Sequence, residues 1–229
     1  MQRCPEQELM NASDQVIAYA EADFSSGDHS FVERLLELID HFCSTLPPGS
    51  LILDLGCGPG NISERLAACL PLSEVIGIDG ASSMISMANQ KLFCRRPAIT
   101  NLNYQLVDLS HYCLDDIQDI KGASVIVSNS FLHHLHAPQT LWASVKQLAA
   151  PNALMLHRDL RRPSNELEVD ALCDRYVSEA PSVLQRDFRA SLKAAFTVDE
   201  VSEQLELAGL SQFKVKEIGD RYLEVCGWW

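Results

Sequence analysis

The run Leu51-Ile52-Leu53-Asp54-Leu55-Gly56-Cys57-Gly58-Pro59-Gly60-Asn61 constrains the fold of this chain more than any other stretch. Its apolar half reads as a strand buried inside a parallel sheet. Glycine at every second position after it lets the backbone turn tightly and lets a ligand approach the main chain. A helix with Ile62, Leu66, Ala67 and Leu70 on one face follows. The free N–H groups of its first turn face back toward the loop. Strand, ligand loop and helix in that order open a doubly wound α/β domain.

The spacing is Gly56-x-Gly58-x-Gly60, and the third glycine of a dinucleotide fingerprint would fall on Asn61. No Gly-Lys-Ser/Thr follows, so a Walker-type phosphate loop is absent. The acid Asp54, two residues before the first glycine, belongs to neither pattern. Apolar strand, acid and three alternating glycines together resemble the first motif of class I S-adenosylmethionine-dependent methyltransferases. The resemblance covers residues 48–160 by motifs and 196–227 by pattern. It implies that Asp54, Gly56, Cys57, Gly58, Gly60 and Asn61 surround S-adenosylmethionine, which leaves as S-adenosylhomocysteine.

At 229 residues, 47% apolar and 21% charged, the chain fits one globular domain. A net charge of −13 argues against nucleic acid and anionic membranes as partners. There is no apolar run long enough to span a bilayer, and Met1 to Met10 is polar and charged rather than a signal peptide. The cysteines are scattered without a C-x-x-C pair, which excludes a zinc ribbon or thioredoxin-type site and fits a reducing cytoplasm.

Ahead of the glycine loop, Ser13 is expected to cap a first helix, and Ser25 to Asp28 to form a loop. A second helix follows, with Phe31, Leu35, Leu36, Ile39, Phe42 and Cys43 on one face, ended by Pro47-Pro48-Gly49. Tyr19 either packs the first helix onto the sheet or closes over the cofactor, as N-terminal helices do in some methyltransferases. Glu74 to Gly80 is the second strand, and Asp79 at its tip is where a doubly wound fold binds ribose hydroxyls. The resemblance implies the same role toward the adenosyl ribose, with Gly80 beside it. It also implies an apolar contact from Met84 to adenine, acceptance of the adenine amino group by Asp108, and a backbone N–H from Leu109. Leu102 to Leu109 is the third strand and its tip.

Ala123 to Ser130 is the fourth strand, so Asn129 and Ser130 point toward the sulfonium and the acceptor. In Phe131-Leu132-His133-His134-Leu135-His136 no carboxylate sits within the run, and no metal is expected. His133 lines the cofactor, packs, or acts as a general base. Ala153 to Leu160 is the fifth strand, with Arg158 and Asp159 at its tip as further catalytic candidates. From Arg158 to Lys193 seven basic residues could meet a carboxylate or phosphate on the acceptor, but seven acids balance them, as on solvated helix faces. Thr197 with Glu200 forms a capping box, and Phe213 to Glu217 and Arg221 to Cys226 form a terminal hairpin.

The expected fold is α/β, doubly wound and Rossmann-like; the resemblance implies a seven-stranded sheet in the order 3-2-1-4-5-7-6. Within one domain, residues 1–47 form N-terminal helices acting as a lid, 48–160 the cofactor core, 161–196 a helical cap, and 197–229 the last helix and hairpin. The expected activity is methyl transfer to an oxygen, nitrogen or carbon of a small-molecule acceptor. A nicotinamide-dependent oxidoreductase and a non-catalytic S-adenosylmethionine-binding protein are the alternatives. Asn61 and Asp54 count against the first of these. The absence of Asn-Pro-Pro-Tyr at Asn129-Ser130-Phe131-Leu132 counts against methylation of nucleic-acid bases. Oligomeric state is left open.

Overall fold

The computed structural model describes residues 1–43, 45–109, 120 and 122–229. Two helices, α1 (Ser13–Glu21) and α2 (Ser25–Cys43), precede β1 (Leu51–Leu55) and α3 (Asn61–Cys69). Then come β2 (Glu74–Asp79), α4 (Ser82–Cys94), β3 (Leu102–Leu106) and β4 (Ala123–Asn129). A 3-10 turn (Leu132–His134) leads to α5 (Gln139–Leu148) and β5 (Ala149–Leu160). Helices α6 (Glu166–Tyr176), α7 (Ser182–Ala194) and α8 (Val198–Leu207) are followed by β6 (Lys214–Ile218) and β7 (Tyr222–Trp228).

The seven strands form one sheet in the order β3-β2-β1-β4-β5-β7-β6. The first five in that order pair in parallel, and β7 runs antiparallel to both of its neighbours. The expected order is therefore the observed one.

Pleating sends successive side chains to opposite faces, and β1 illustrates the result. Leu53 and Leu55 join the core under α5 and α8 with Trp142, Val145, Val201 and Leu205. Ile52 joins the core under α2, α3 and α4 with Phe31, Leu35, Ile62 and Leu66. Asp54 shares that second face and is buried beside the apolar layer. Ser63 on α3 donates a hydrogen bond to it, Oγ to Oδ2 at 2.6 Å, which tethers the strand end to the helix that follows the loop.

Several local expectations differ from the structure. Ser25 to Asp28 are the first turn of α2 and not a loop, because the Asp23 carboxylate accepts the Ser25 N–H at 2.9 Å and starts the helix. Ser13 is inside α1, and Ala12 stands at its N-cap with no side-chain bond. Phe42 is 45% exposed and stacks on Trp228 outside the main core. Strand β3 ends at Leu106, so Asp108 and Leu109 lie beyond the sheet ladder. Strand β5 begins at Ala149, and its register against β4 shifts between Ala123 and Val125. Asn152, at φ 63°, lies in that irregular stretch. Cys113 lies outside the described residues. Cys4, Cys57, Cys69, Cys94, Cys173 and Cys226 are free.

Candidate functional site

The crevice forms where β1 and β4 send their connections to opposite sides of the sheet. The loop after β1 is fastened to β2: the N–H groups of Gly56 and Cys57 both donate to Ile78 O, at 2.8 and 3.0 Å. Gly56 has φ 73°, and a Cβ there would lie 2.4 Å from the Phe131 ring, so glycine is required on both counts. Gly58 has φ 53° and open space where a Cβ would be, so its backbone is approachable.

Asp79 locks this loop to the tip of β2. One carboxylate oxygen accepts the Gly58 N–H at 2.9 Å and the other the Ala81 N–H at 2.8 Å. Each oxygen keeps a further lone pair, so the carboxylate is pre-oriented for a diol without being consumed. Burial raises the Asp79 pKa, the two backbone N–H groups oppose that, and neighbouring Asp108 raises it further. A Cβ on Gly80 would meet Asp108 Cα at 3.2 Å, so these two loops touch at the sheet edge. Leu109 is buried in the core. Met84 is buried with Val16 and Ala81, and Tyr19, Met10 and Met87 pack against that cluster. Tyr19 thus reaches Met84 from α1, which packs between α4 and α7. Burial raises the Tyr19 phenol pKa, with the Asp187 and Glu6 charges adding to it.

Two of the expected residues serve the loop from beneath. Asp54 holds Ser63, and burial raises its pKa to about 7. Asn61 accepts from Lys91 Nζ at 2.6 Å, and the same ammonium donates to Pro59 O at 3.0 Å. No side chain caps α3, whose N-cap is Gly60 in the left-handed region. Tyr104 donates from its hydroxyl to Gly60 O at 3.3 Å, a support no motif announces.

At the end of β4, Asn129 is half-buried and Ser130 has φ 55°. The Ser130 N–H donates to Arg158 O at 2.8 Å. Strained backbone of this kind costs about 1–3 kcal/mol and clusters at ligand sites.

Arg158 and Asp159 are adjacent in sequence and part company in space. Arg158 lies on the α2 side, where Nη2 donates to Glu224 Oε2 at 2.9 Å and the guanidinium sits 5.5 Å from the Phe31 ring centroid. Glu224 is fully buried and also holds Arg34 at 3.2 Å and Lys216 at 3.1 Å. The guanidinium of Arg158 is therefore committed to an internal network rather than turned to the reacting end. Asp159 lies on the opposite face with His157 and Trp142.

Asp159 accepts the backbone N–H of His133 at 3.1 Å and that of Leu160 at 2.6 Å, and pairs with His133 Nδ1. Burial lowers the His133 pKa, but Asp159 and Glu6 outweigh it and the net shift is upward. Burial raises the Asp159 pKa, yet the charge and hydrogen bond of His133 bring it down to about 2. Asp159 thus orients His133 and does not itself face the crevice.

The remaining wall comes from residues the sequence did not single out. Residues 1–11 run across the carboxyl ends of the strands. Met1 donates its amine to Ser164 O at 2.8 Å, and Arg3 donates to Ala194 O, His133 O and Leu135 O. Glu6 reaches His133 and His134, Glu8 accepts the His136 N–H at 2.7 Å, and Asn11 O accepts the Ser83 hydroxyl at 3.3 Å. Leu9 abuts Gly80. A carboxylate therefore does face the histidine run, from far away in sequence. Among the described residues, no helix is long and apolar enough to cross a membrane.

Residues 53–155 match the family model described as "Methyltransferase domain". The chain is 32% identical over 130 residues to malonyl-[acyl-carrier protein] O-methyltransferase of Bacillus cytotoxicus, covering 52% of this chain and 42% of that one. It is 26% identical over 137 residues to trans-aconitate 2-methyltransferase of Variovorax paradoxus, covering 59% and 48%. The matched regions span less than half the length of these curated relatives. Among solved structures, the plantazolicin methyltransferase BpumL in complex with a pentazolic desmethylPZN analog and SAH superposes with TM-score 0.71 at 16% identity, covering 93% of this chain and 90% of that one. A SAM-dependent methyltransferase from Aquifex aeolicus gives 0.65 at 18% identity, covering 94% and 97%. A methyltransferase domain match that runs from within β1 to within β5, and a fold shared with methyltransferases of known structure, are what the chain has in common with these proteins.

Proposed function

We propose that this protein transfers a methyl group from S-adenosylmethionine to a nucleophilic oxygen, nitrogen or carbon of a small molecule. The observation that carries the reading is Asp79, fixed by the Gly58 and Ala81 N–H groups at the edge of an approachable glycine loop. In this reading Asp79 holds the ribose hydroxyls, Met84 and Tyr19 flank the adenine, and Asp108 with Leu109 meets its edge. Gly58 leaves room for the amino-acid moiety, Gly60 lets Tyr104 pack against the loop, and Asn129 and Ser130 face the sulfonium. The sulfonium is already activated, so positioning does most of the work and is worth about 7–11 kcal/mol. In this reading His133, oriented by Asp159, is the candidate base at the acceptor end. The relatives named for malonyl-[acyl-carrier protein] and trans-aconitate make acidic acceptors the first to screen. The free cysteines favour a reducing compartment, and we place the enzyme in the cytoplasm.

Calorimetric titration tests this. S-adenosylmethionine and S-adenosylhomocysteine should bind the full chain with micromolar affinity, and Asp79→Ala should abolish both. NAD should not bind. Binding of NAD in place of S-adenosylmethionine would overturn the reading. Cofactor binding without methyl turnover on any acceptor would favour a non-catalytic role.

A further inference from the structure

The face that carries His133 holds a cluster that methyl transfer does not explain. His133 Nε2 lies 3.5 Å from Glu6 Oε1, and His134 Nδ1 lies 3.2 Å from the same oxygen. All three atoms fall within 4.8 Å of one another. His134 Nδ1 is buried and has no hydrogen-bond partner. Its ring is hydrogen-bonded to the backbone of Gln7, and burial, followed by the charge of His133, lowers its pKa to about 3. Its Nδ1 is thus a buried nitrogen with an unused hydrogen-bonding position, 3.2 Å from a carboxylate oxygen.

We propose that Glu6, His133 and His134 form a binding site for one divalent transition-metal ion of the zinc type. The separations fit the geometry. Zinc bonds of about 2.0–2.1 Å in a tetrahedron give ligand–ligand edges of about 3.3–3.4 Å, against the 3.5 and 3.2 Å found here. Two imidazoles and one carboxylate suit zinc, and three protein ligands leave a fourth position for water or an acceptor oxygen. The supporting shell is also in place. Asp159 engages the other ring nitrogen of His133, the arrangement that fixes the tautomer of a metal-bound histidine. Ser191 Oγ donates to Glu6 Oε1 at 3.0 Å, and His136 Nε2 donates to the Glu6 backbone carbonyl at 2.6 Å, so both the side chain and the main chain of Glu6 are held. Because Glu6 comes from the N-terminal segment and the histidines from the turn after β4, the ion would rivet that segment over the crevice.

The test uses tag-free full-length protein titrated with Co²⁺ and followed by visible absorption, with zinc content measured after dialysis. The expected result is one equivalent per chain, with an intense band typical of tetrahedral nitrogen and oxygen ligation. Asp159→Asn should weaken affinity about 10–100-fold, and Glu6→Gln and His134→Ala should weaken it more. His29→Ala, on the exposed face of α2, should leave it unchanged. Hydrogen exchange in residues 1–11 should slow when the metal is added. Where a variant fails to fold, X-ray absorption of the zinc-loaded wild type decides, with two imidazoles and no sulfur expected. Absence of a tetrahedral band, a sulfur-to-cobalt charge-transfer band, or equal affinity in folded Glu6→Gln would overturn the site and leave a shared proton as the centre of the cluster.

Discussion

Arg158 offers the sharpest test of which strand-tip residues serve chemistry and which serve the fold. Its guanidinium is buried and pairs with Glu224, whose side chain is fully buried. Removing Glu224, as in Glu224→Leu, leaves three cations without their anion. Arg34 and Lys216 can turn to solvent, since their side chains are 29% and 46% exposed. Arg158 cannot, at 9%. An uncompensated buried charge costs about 3–5 kcal/mol, which for a chain of this size lowers Tm by about 6–20 °C at about 2–4 °C per kcal/mol. Arg158→Met is milder, because Glu224 keeps Arg34 and Lys216; losing one charged hydrogen bond costs about 1.5–3 kcal/mol. The double variant should fall short of the sum, since an apolar pair leaves no orphaned charge. Thermal unfolding gives the cycle, and calorimetric titration with S-adenosylmethionine well below Tm gives the site. Cofactor affinity and turnover should be unchanged in Arg158→Met. Lost turnover at unchanged Tm would refute this reasoning and return Arg158 to the reaction.

Three further outcomes are expected. Gly56→Ala should lose cofactor affinity and stability together, because a Cβ at φ 73° meets Phe131 at 2.4 Å; wild-type affinity in this variant would show that the loop yields more than its two bonds to Ile78 O suggest. Asp54 has a folded pKa of about 7 against an ordinary 3.8, so the native state holds its proton more tightly and stability falls as pH rises between those values. Asp54→Asn keeps an acceptor for Ser63 and removes that slope, so its urea midpoint should gain on the wild type from pH 5 to pH 8, and parallel curves would contradict the burial argument. Thr197→Ala breaks the reciprocal bonds of Thr197 and Glu200 at the start of α8 and should cost about 1 kcal/mol by denaturant titration.

The glycine loop and its link to the tip of β2, where we propose the cofactor binds, were legible in the sequence because their determinants are local. A strand, its glycine loop and the acid ending the next strand lie within 29 residues, Leu51 to Asp79, and the α/β rule puts both tips at one edge. The acceptor side was not. Arg158 and Asp159 are neighbours at one strand tip, and the period of a strand sends them to opposite faces. Asn61 belongs to the glycine loop in sequence, but Lys91 from α4 draws its side chain aside. The histidine run carries no carboxylate of its own, and Glu6 reaches it across more than 120 residues with no periodic signal. Ser25 to Asp28 look like a turn by composition, and a single Asp23 hydrogen bond suffices to make them helix.

The N-terminal segment also bears on how the molecule assembles and breathes. Apart from Asn11 to Ser83, its hydrogen bonds to the described residues join positions more than 120 apart, as from His136 to Glu8 and from Arg3 to Ala194. Closing loops of that length is entropically unfavourable, so such contacts form late, after the sheet has condensed. Interactions absent from the folding transition state leave the folding rate unchanged and slow unfolding instead. Residues 1–11 contribute no strand or helix, so they can detach as a unit while the seven-stranded sheet stays intact. The crevice can then exchange its contents through a sub-global opening that never exposes the core.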